Sequence, residues 1–152
     1  MRKLFLVLAT GFGLGYSPVA SGTTGSLPGV LIALAIAPLG GVWQAFVCAV
    51  LAVLAIPICD AAEHHFGRKD DGRVVADEYL TFALCLVGIP WTAHPWFLAV
   101  AFVVCRIMDI LKPPPARQAQ NLSGGLGIVA DDVASSLYAL LINHVLWRFF
   151  VV

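Results

Sequence analysis

From Leu27 to Cys59 the chain runs for 33 residues without one charged side chain. As a single helix rising 1.5 Å per residue it would be roughly 50 Å long, well beyond the roughly 30 Å hydrocarbon core of a bilayer. It has to break. Pro38-Leu39-Gly40-Gly41 supplies the break, since proline brings no amide hydrogen and glycine favours a turn. The stretch therefore predicts a helical hairpin, with a short helix from about Leu27 to Ala37 and a longer one from about Val42 to Ile58. Pro28 suits the first turn of the former. With 60% apolar residues and only 12% charged, the solvent for such a hairpin is the bilayer.

The remaining segments follow the same logic. Arg2-Lys3, an apolar run to Gly15 and the small residues Val19-Ala20-Ser21 have the outline of a secretory signal. They run straight into Gly22-Thr23-Thr24-Gly25-Ser26, however, and the run is too short and glycine-rich to span, so an interfacial or partly buried helix is expected. Asp60 to Arg73 reads as an extramembrane loop with a helical start. Val74 to Pro90 is the next apolar run, Trp91 to Trp96 an interfacial turn with aromatic anchors, Trp96 to Leu111 the return, and Val133 to Phe150 the last span. The expected fold is an all-α polytopic membrane helix bundle. It forms a single domain over residues 1–152, with about four to five membrane-embedded helices and its polar loops on one face.

Charge sets an orientation for that bundle. The turns at 38–41 and 91–96 put residues 1–26, 60–78 and 106–132 on one side. That side holds Arg2, Lys3, Arg68, Lys69, Arg73, Arg106, Lys112 and Arg117, leaving only Arg148 opposite, so by the positive-inside rule it faces the cytoplasm. All nine carboxylates fall on the same side, which the rule does not require. Formal net charge is zero, so no basic surplus points to a nucleic-acid partner. Nothing in the sequence fixes an oligomeric state.

Cys48, Cys59, Cys85 and Cys105 lie far apart in apolar runs without a CxxC pair, and read as small buried hydrophobes. The acids are more informative. Asp77 and Glu78 head an apolar run, where an unpaired carboxylate is costly; they are either a helix-start pair facing the dipole or ligands to a cation. Arg106 and Asp109, three apart, share a helix face, as an ion pair or as catalytic groups. Asp131-Asp132 precede the last apolar run, as an N-terminal cap or as site residues. Asp60, Glu63 and His64 share a face too, consistent with a metal site or a solvated helix end, while His65, His94 and His144 have no partner pattern. What favours chemistry is convergence of carboxylates from separate segments on one face. Hard oxygen donors without a Cys or His cluster favour Mg²⁺ over softer metals. Two glycine-rich turns, Gly22 to Gly29 and Gly124 to Gly127, let backbone N–H groups approach an anion, and with Arg106 and Lys112 they suggest phosphate.

Four stretches, in order, resemble the phosphatidylglycerophosphatase A family of bacterial membrane phosphatases. They are Leu8-Ala-Thr-Gly-Phe-Gly13 with Ser17-Pro18 and Gly22-Thr23…Gly25-Ser26; Asp71-Gly-Arg-Val-Val-Ala-Asp77-Glu78-Tyr79; Arg106-Ile-Met-Asp109-Ile-Leu-Lys112-Pro113; and Gly124-Gly-Leu-Gly-Ile-Val-Ala-Asp131-Asp132. Ser21, Thr81, Met108 and Ser135 depart from the residues usual in that family, and none of these changes removes a charge. The resemblance implies Mg²⁺-dependent hydrolysis of phosphatidylglycerophosphate to phosphatidylglycerol at the cytoplasmic face of the inner membrane, with a phospholipid substrate drawn from the bilayer. The expected catalytic residues are Asp77, Glu78, Arg106, Asp109 and Lys112, with Asp77, Glu78, Asp109, Asp131 and Asp132 as metal ligands. Thr23, Gly25, Ser26, Arg106, Lys112, Gly124 and Gly125 are expected to bind substrate. Two other readings stand beside it: a small channel or transporter with an acidic cation path, and a phospholipid-forming phosphotransferase.

Overall fold

The computed structural model describes residues 2–151, and every regular element among them is helical. The helices are α1 (Arg2–Ala9), α2 (Ser21–Gly25), α3 (Leu27–Ile36), α4 (Gly41–Phe66), α5 (Ala76–Thr81), α6 (Phe97–Leu111), α7 (Ala116–Ala119) and α8 (Gly124–Phe150), with 3-10 turns at Leu14–Tyr16, Phe82–Leu86 and Trp91–Ala93. The hairpin forms where proline and glycine predict it. Its turn is held by Gln44, whose Nε2 donates to the Leu39 carbonyl at 2.9 Å and whose Oε1 accepts the Gly88 N–H at 2.9 Å.

Three boundaries differ from the sequence reading, each for a local reason. The second hairpin helix does not stop near Ile58: it continues through Pro57 to Phe66, and ends only where Gly67 adopts φ +67° and gives its N–H to the Glu63 carbonyl. The Val74 to Pro90 run is not one long helix. It is the six-residue α5 followed by the 3-10 turn Phe82–Leu86, closed by Gly88 at φ +75°. The last helix begins nine residues earlier than Val133, so Asp131 and Asp132 are not its cap but lie two turns inside it. That early start is possible because Asp60 Oδ1 accepts the Gly125 N–H at 3.2 Å, satisfying an amide that a helix's first turn leaves free. Gly125 also lacks the Cβ that would strike the Ile56 carbonyl of α4.

At about 39 Å and about 40 Å, α4 and α8 are the two helices long and apolar enough to cross a bilayer. The other described helices are shorter than a span. α8 packs between α4 and α6 and also covers α5 and the 3-10 turn that follows it. One end of the bundle gathers neutral groups. There the buried Asn143 Nδ2 donates to the Cys85 carbonyl at 2.9 Å, the His144 ring Nε2 lies 3.0 Å from the Val87 carbonyl, and Trp147 stacks edge-on against Phe97 with ring centres 5.0 Å apart. The opposite end gathers the charged side chains described below. All four cysteines are unbridged and buried, as their apolar settings predict.

Asn143 is fully buried, so Asn143→Ala leaves the Cys85 carbonyl without a donor. An unsatisfied buried acceptor costs about 1–3 kcal/mol. A thermal unfolding series in detergent should show Asn143→Ala destabilised in that range, whereas an exposed change such as Phe149→Ala should leave the midpoint nearly unmoved.

Candidate active site

The charged end is assembled by close approach of glycine-bearing helices. Gly22, Gly25 and Gly29 lie three and four apart across α2 and α3, on the face turned to α5. A Cβ on Gly25 would strike the Val75 side chain, and one on Gly29 the Phe82 Cβ and the Tyr79 carbonyl. At Gly22 it would come within 2.5 Å of both Arg106 Nη2 and Glu78 Oε1. Glycine here brings a helix up to an ion pair.

That ion pair is the centre of a network. Arg106 Nη1 contacts Glu78 Oε2 at 2.9 Å and Asp109 Oδ2 at 3.0 Å. Ser26 Oγ donates to Glu78 Oε2 at 2.9 Å, and Arg106 Nη1 also reaches Ser26 Oγ at 3.3 Å. Lys112, at the end of α6 in left-handed conformation (φ +46°), turns its ammonium to Asp131 and stands 3.9 Å from Asp109 Oδ1. Residues from α2, α5, α6 and α8 thus meet at one point, as their convergence in the sequence suggests.

Asp77 and Asp132 belong to the same centre without a cation. Both are buried, and each lies within charge-interaction range of Glu78, Asp109, Asp131 and the other. Asp77 Oδ1 has no hydrogen-bond partner, and neither has the buried Nε of Arg106. Five carboxylates therefore share the centre with two cations. A buried carboxylate left unpaired is costly enough that proteins usually pair it, protonate it or give it a metal. Among the described residues no three His, Cys, Asp or Glu side chains stand close enough to hold a metal together, because Glu78, Asp109 and Asp131 are drawn to Arg106 and Lys112. The donor set, all carboxylate oxygens with one orphaned and buried, fits a hard divalent cation such as Mg²⁺.

Other expected residues sit differently. Thr23 is exposed on α2, and the Gly125 N–H is already given to Asp60. A Cβ on Gly124 would likewise meet Asp60, so this pair of glycines fits α8 against α4. Asp60 serves α8 while His64 lies against its own helix, 2.9 Å from the Asp60 carbonyl. Thr81, one of the departures from the family pattern, satisfies its hydroxyl on the Asp77 carbonyl at 2.7 Å.

Asp70 was not singled out from the sequence, yet it lies within range of Asp77 and Asp131. It adopts φ +50°, and Gln120 Nε2 approaches its carboxylate at 3.4 Å. The signal was available in the Asp70-Asp71-Gly72 turn. Beside it, Arg73 grips Asp71 through Nε at 2.7 Å and Nη2 at 2.9 Å, holding the Asp71 carboxyl down to about 2. Arg73 also lies 3.9 Å over the Phe66 ring. Because the Asp71 pKa is depressed, its pairing is intact across neutral pH and is lost only as pH falls toward 2. The pair thus ties the turn that leads into α5.

An apolar all-helical bundle with buried carboxylates at one end, beside a half-buried arginine and lysine, has the architecture of a membrane-associated enzyme acting on a charged group. The profile described as Phosphatidylglycerophosphatase A matches residues 7–147. A protein of that name from Haemophilus influenzae is 36% identical over 138 residues, covering 90% of this chain and 84% of its own. The Escherichia coli K12 protein of the same name is 34% identical over 140 residues, covering 90% and 80%. A Bacteroides thetaiotaomicron protein named "Putative phosphatidylinositol-3-phosphatase" is 34% identical over 152 residues, covering 93% of each. No solved structure matches. The chain belongs to the phosphatidylglycerophosphatase A family, and is thus a phosphatase that hydrolyses a phosphate monoester.

Gly22→Ala should separate α2 from the Arg106–Glu78 pair. Phosphate release is expected to fall about tenfold or more, as misplacement near 1 Å costs on that scale. Gly40→Ala, where a Cβ meets nothing within 4 Å, should retain activity in the same assay.

Proposed function

We propose that this chain removes the terminal phosphate of phosphatidylglycerophosphate, releasing phosphatidylglycerol and inorganic phosphate in a Mg²⁺-dependent hydrolysis. The observation that carries the metal requirement is the buried, unpartnered Asp77 beside Asp132, in a centre with more carboxylates than cations. Family membership supports the substrate.

Asp77 and Asp132, joined by Glu78, Asp109 and Asp131, are the residues that would hold the metal. Bound there, it would activate water and neutralise phosphate charge. Arg106 offers its buried free Nε to a phosphate oxygen, and Lys112 a second positive charge. Ser26 keeps Glu78 and Arg106 aligned by bonding to both. In the reaction the water oxygen bonds to phosphorus, the bond from phosphorus to the glycerol oxygen breaks, and the proton lost by water goes to a carboxylate while the leaving oxygen gains one.

This reading extends to a multi-pass protein of the bacterial inner membrane with four to five embedded helices and a cytoplasmic active face; two observations support its multi-pass character and its orientation. α4 and α8 are of spanning length, and the lysines and arginines lie overwhelmingly on the acidic side. The segregation of acids at one end, with neutral Gln44, Asn143 and His144 at the other, disfavours a cation path through the membrane.

Purified protein in detergent should release phosphate from phosphatidylglycerophosphate with Mg²⁺ and lose that activity in excess chelator. Asp109→Asn should lower the rate by about a hundredfold or more. A parallel assay on phosphatidylinositol 3-phosphate should give little release. Undiminished turnover by Asp109→Asn, or full activity in chelator, contradicts the assignment.

A further inference from the structure

An apolar groove of about 400 Å³ runs between α3 and α6 and is lined by Leu27, Val30, Leu98, Ala99, Phe102 and Val103. Two smaller apolar hollows, of about 250 and 260 Å³, lie on α8 beside Pro115 and on α4. The groove between α3 and α6 differs from the hollow on α4 in where it ends. Leu27 follows Ser26, which bonds to Glu78 and Arg106, and Phe102 and Val103 precede Arg106 by four and three residues on the same helix. By the helix rise, Arg106 stands about 12 Å along α6 from Leu98. Its walls are side chains that water would leave bare: Leu27 is 51% exposed and Val103 55%.

A lipid whose phosphate lies at Arg106 must send its acyl chains away from a strongly polar centre. An apolar channel that starts one residue from Ser26 and one helical turn from Arg106 gives one chain a continuous path. We propose that the groove between α3 and α6 is the seat of one acyl chain of the lipid substrate, so that the protein recognises a membrane lipid phosphate by its chain as well as by its headgroup. This rests on the lipid phosphatase reading above. The seat makes Ala99, exposed and lining the groove, a specificity-determining position that does not touch the reacting atoms.

Filling the groove tests it. With a long-chain phosphatidylglycerophosphate in mixed micelles, Ala99→Trp should raise KM or lower kcat/KM by about tenfold, the scale on which hydrophobic pockets discriminate. With the same headgroup on dihexanoyl chains, too short to follow the groove, the variant should match the wild type. Val53→Trp, in the hollow on α4, should match the wild type on both substrates. Equal losses on long and short chains, or none on either, overturn the acyl seat while leaving the phosphatase reading intact. A second measurement needs no turnover: a long-chain lipid phosphate with a mid-chain diazirine, irradiated with the Asp109→Asn protein, should label the Leu98–Val103 or Leu27–Val30 segment. Labelling confined to Phe46–Leu54 of α4 would equally overturn the seat. Absence of any phosphate release by the wild type, with chain labelling in the groove, would instead fail the phosphatase reading alone.

Discussion

Negative charge in excess of positive, gathered at one largely buried end of the bundle, is the condition that the rest of this structure serves. Asp77, Glu78, Asp109, Asp131 and Asp132 meet at one end of an apolar bundle, with Arg106 and Lys112 to answer them. In a low-dielectric interior each unanswered carboxylate costs several kcal/mol. A fold does not keep such an arrangement for its own stability. Five carboxylates against two cations leave negative charge in excess, and the divalent cation proposed above would offset most of it while Arg106 and Lys112 meet the phosphate.

The bundle supplies this centre through packing. Glycines on α2 and α3 let those helices approach α5 and Arg106 closely enough for Ser26 to bridge two charged groups. Asp60 holds the start of α8, which fixes how far along α4 that helix sits and so where Asp131 and Asp132 fall. The other end is tied by amide and imidazole groups on backbone carbonyls near Cys85 and Val87, and among the described residues carries no carboxylate side chain to compete. Glu78, Arg106, Asp109, Lys112 and Asp131, all within the stretches that resemble the family, are joined by ion pairs at the charged end.

The helical class, the break at Pro38 to Gly41 and the meeting of Asp77, Glu78, Arg106, Asp109 and Asp131 were legible in the sequence, because each rests on local rules of charge spacing and helix interruption. The lengths of the helices were less so. The helical start at Asp60 and the shared face of Asp60, Glu63 and His64 follow from their spacing; that this helix is the uninterrupted continuation of the one before it, through Pro57, does not, and Asp60 there meets an amide of α8. Asp131-Asp132 look like a helix start from their neighbours, yet the helix already runs from Gly124, where Gly124 and Gly125 lie close against Asp60 and Ile56 of α4. Likewise the Val74 to Pro90 run has the composition of a span but folds as a short helix and a 3-10 turn, closed by Gly88 against Gln44. Asp70 escaped notice because its proximity to Asp77 arises from the loop's three-dimensional course.

The central claim is that the acid-rich centre is completed by a divalent cation, and thermal unfolding in detergent with increasing Mg²⁺ tests it most directly. A ligand that binds the folded state raises its stability in proportion to the logarithm of its concentration. The midpoint of the wild-type protein should rise with Mg²⁺. No such rise is expected for Asp77→Asn combined with Asp132→Asn, whose midpoint without metal should be at least as high as that of the wild type. A wild-type midpoint that is indifferent to Mg²⁺, or one that rises equally in the double variant, would contradict it.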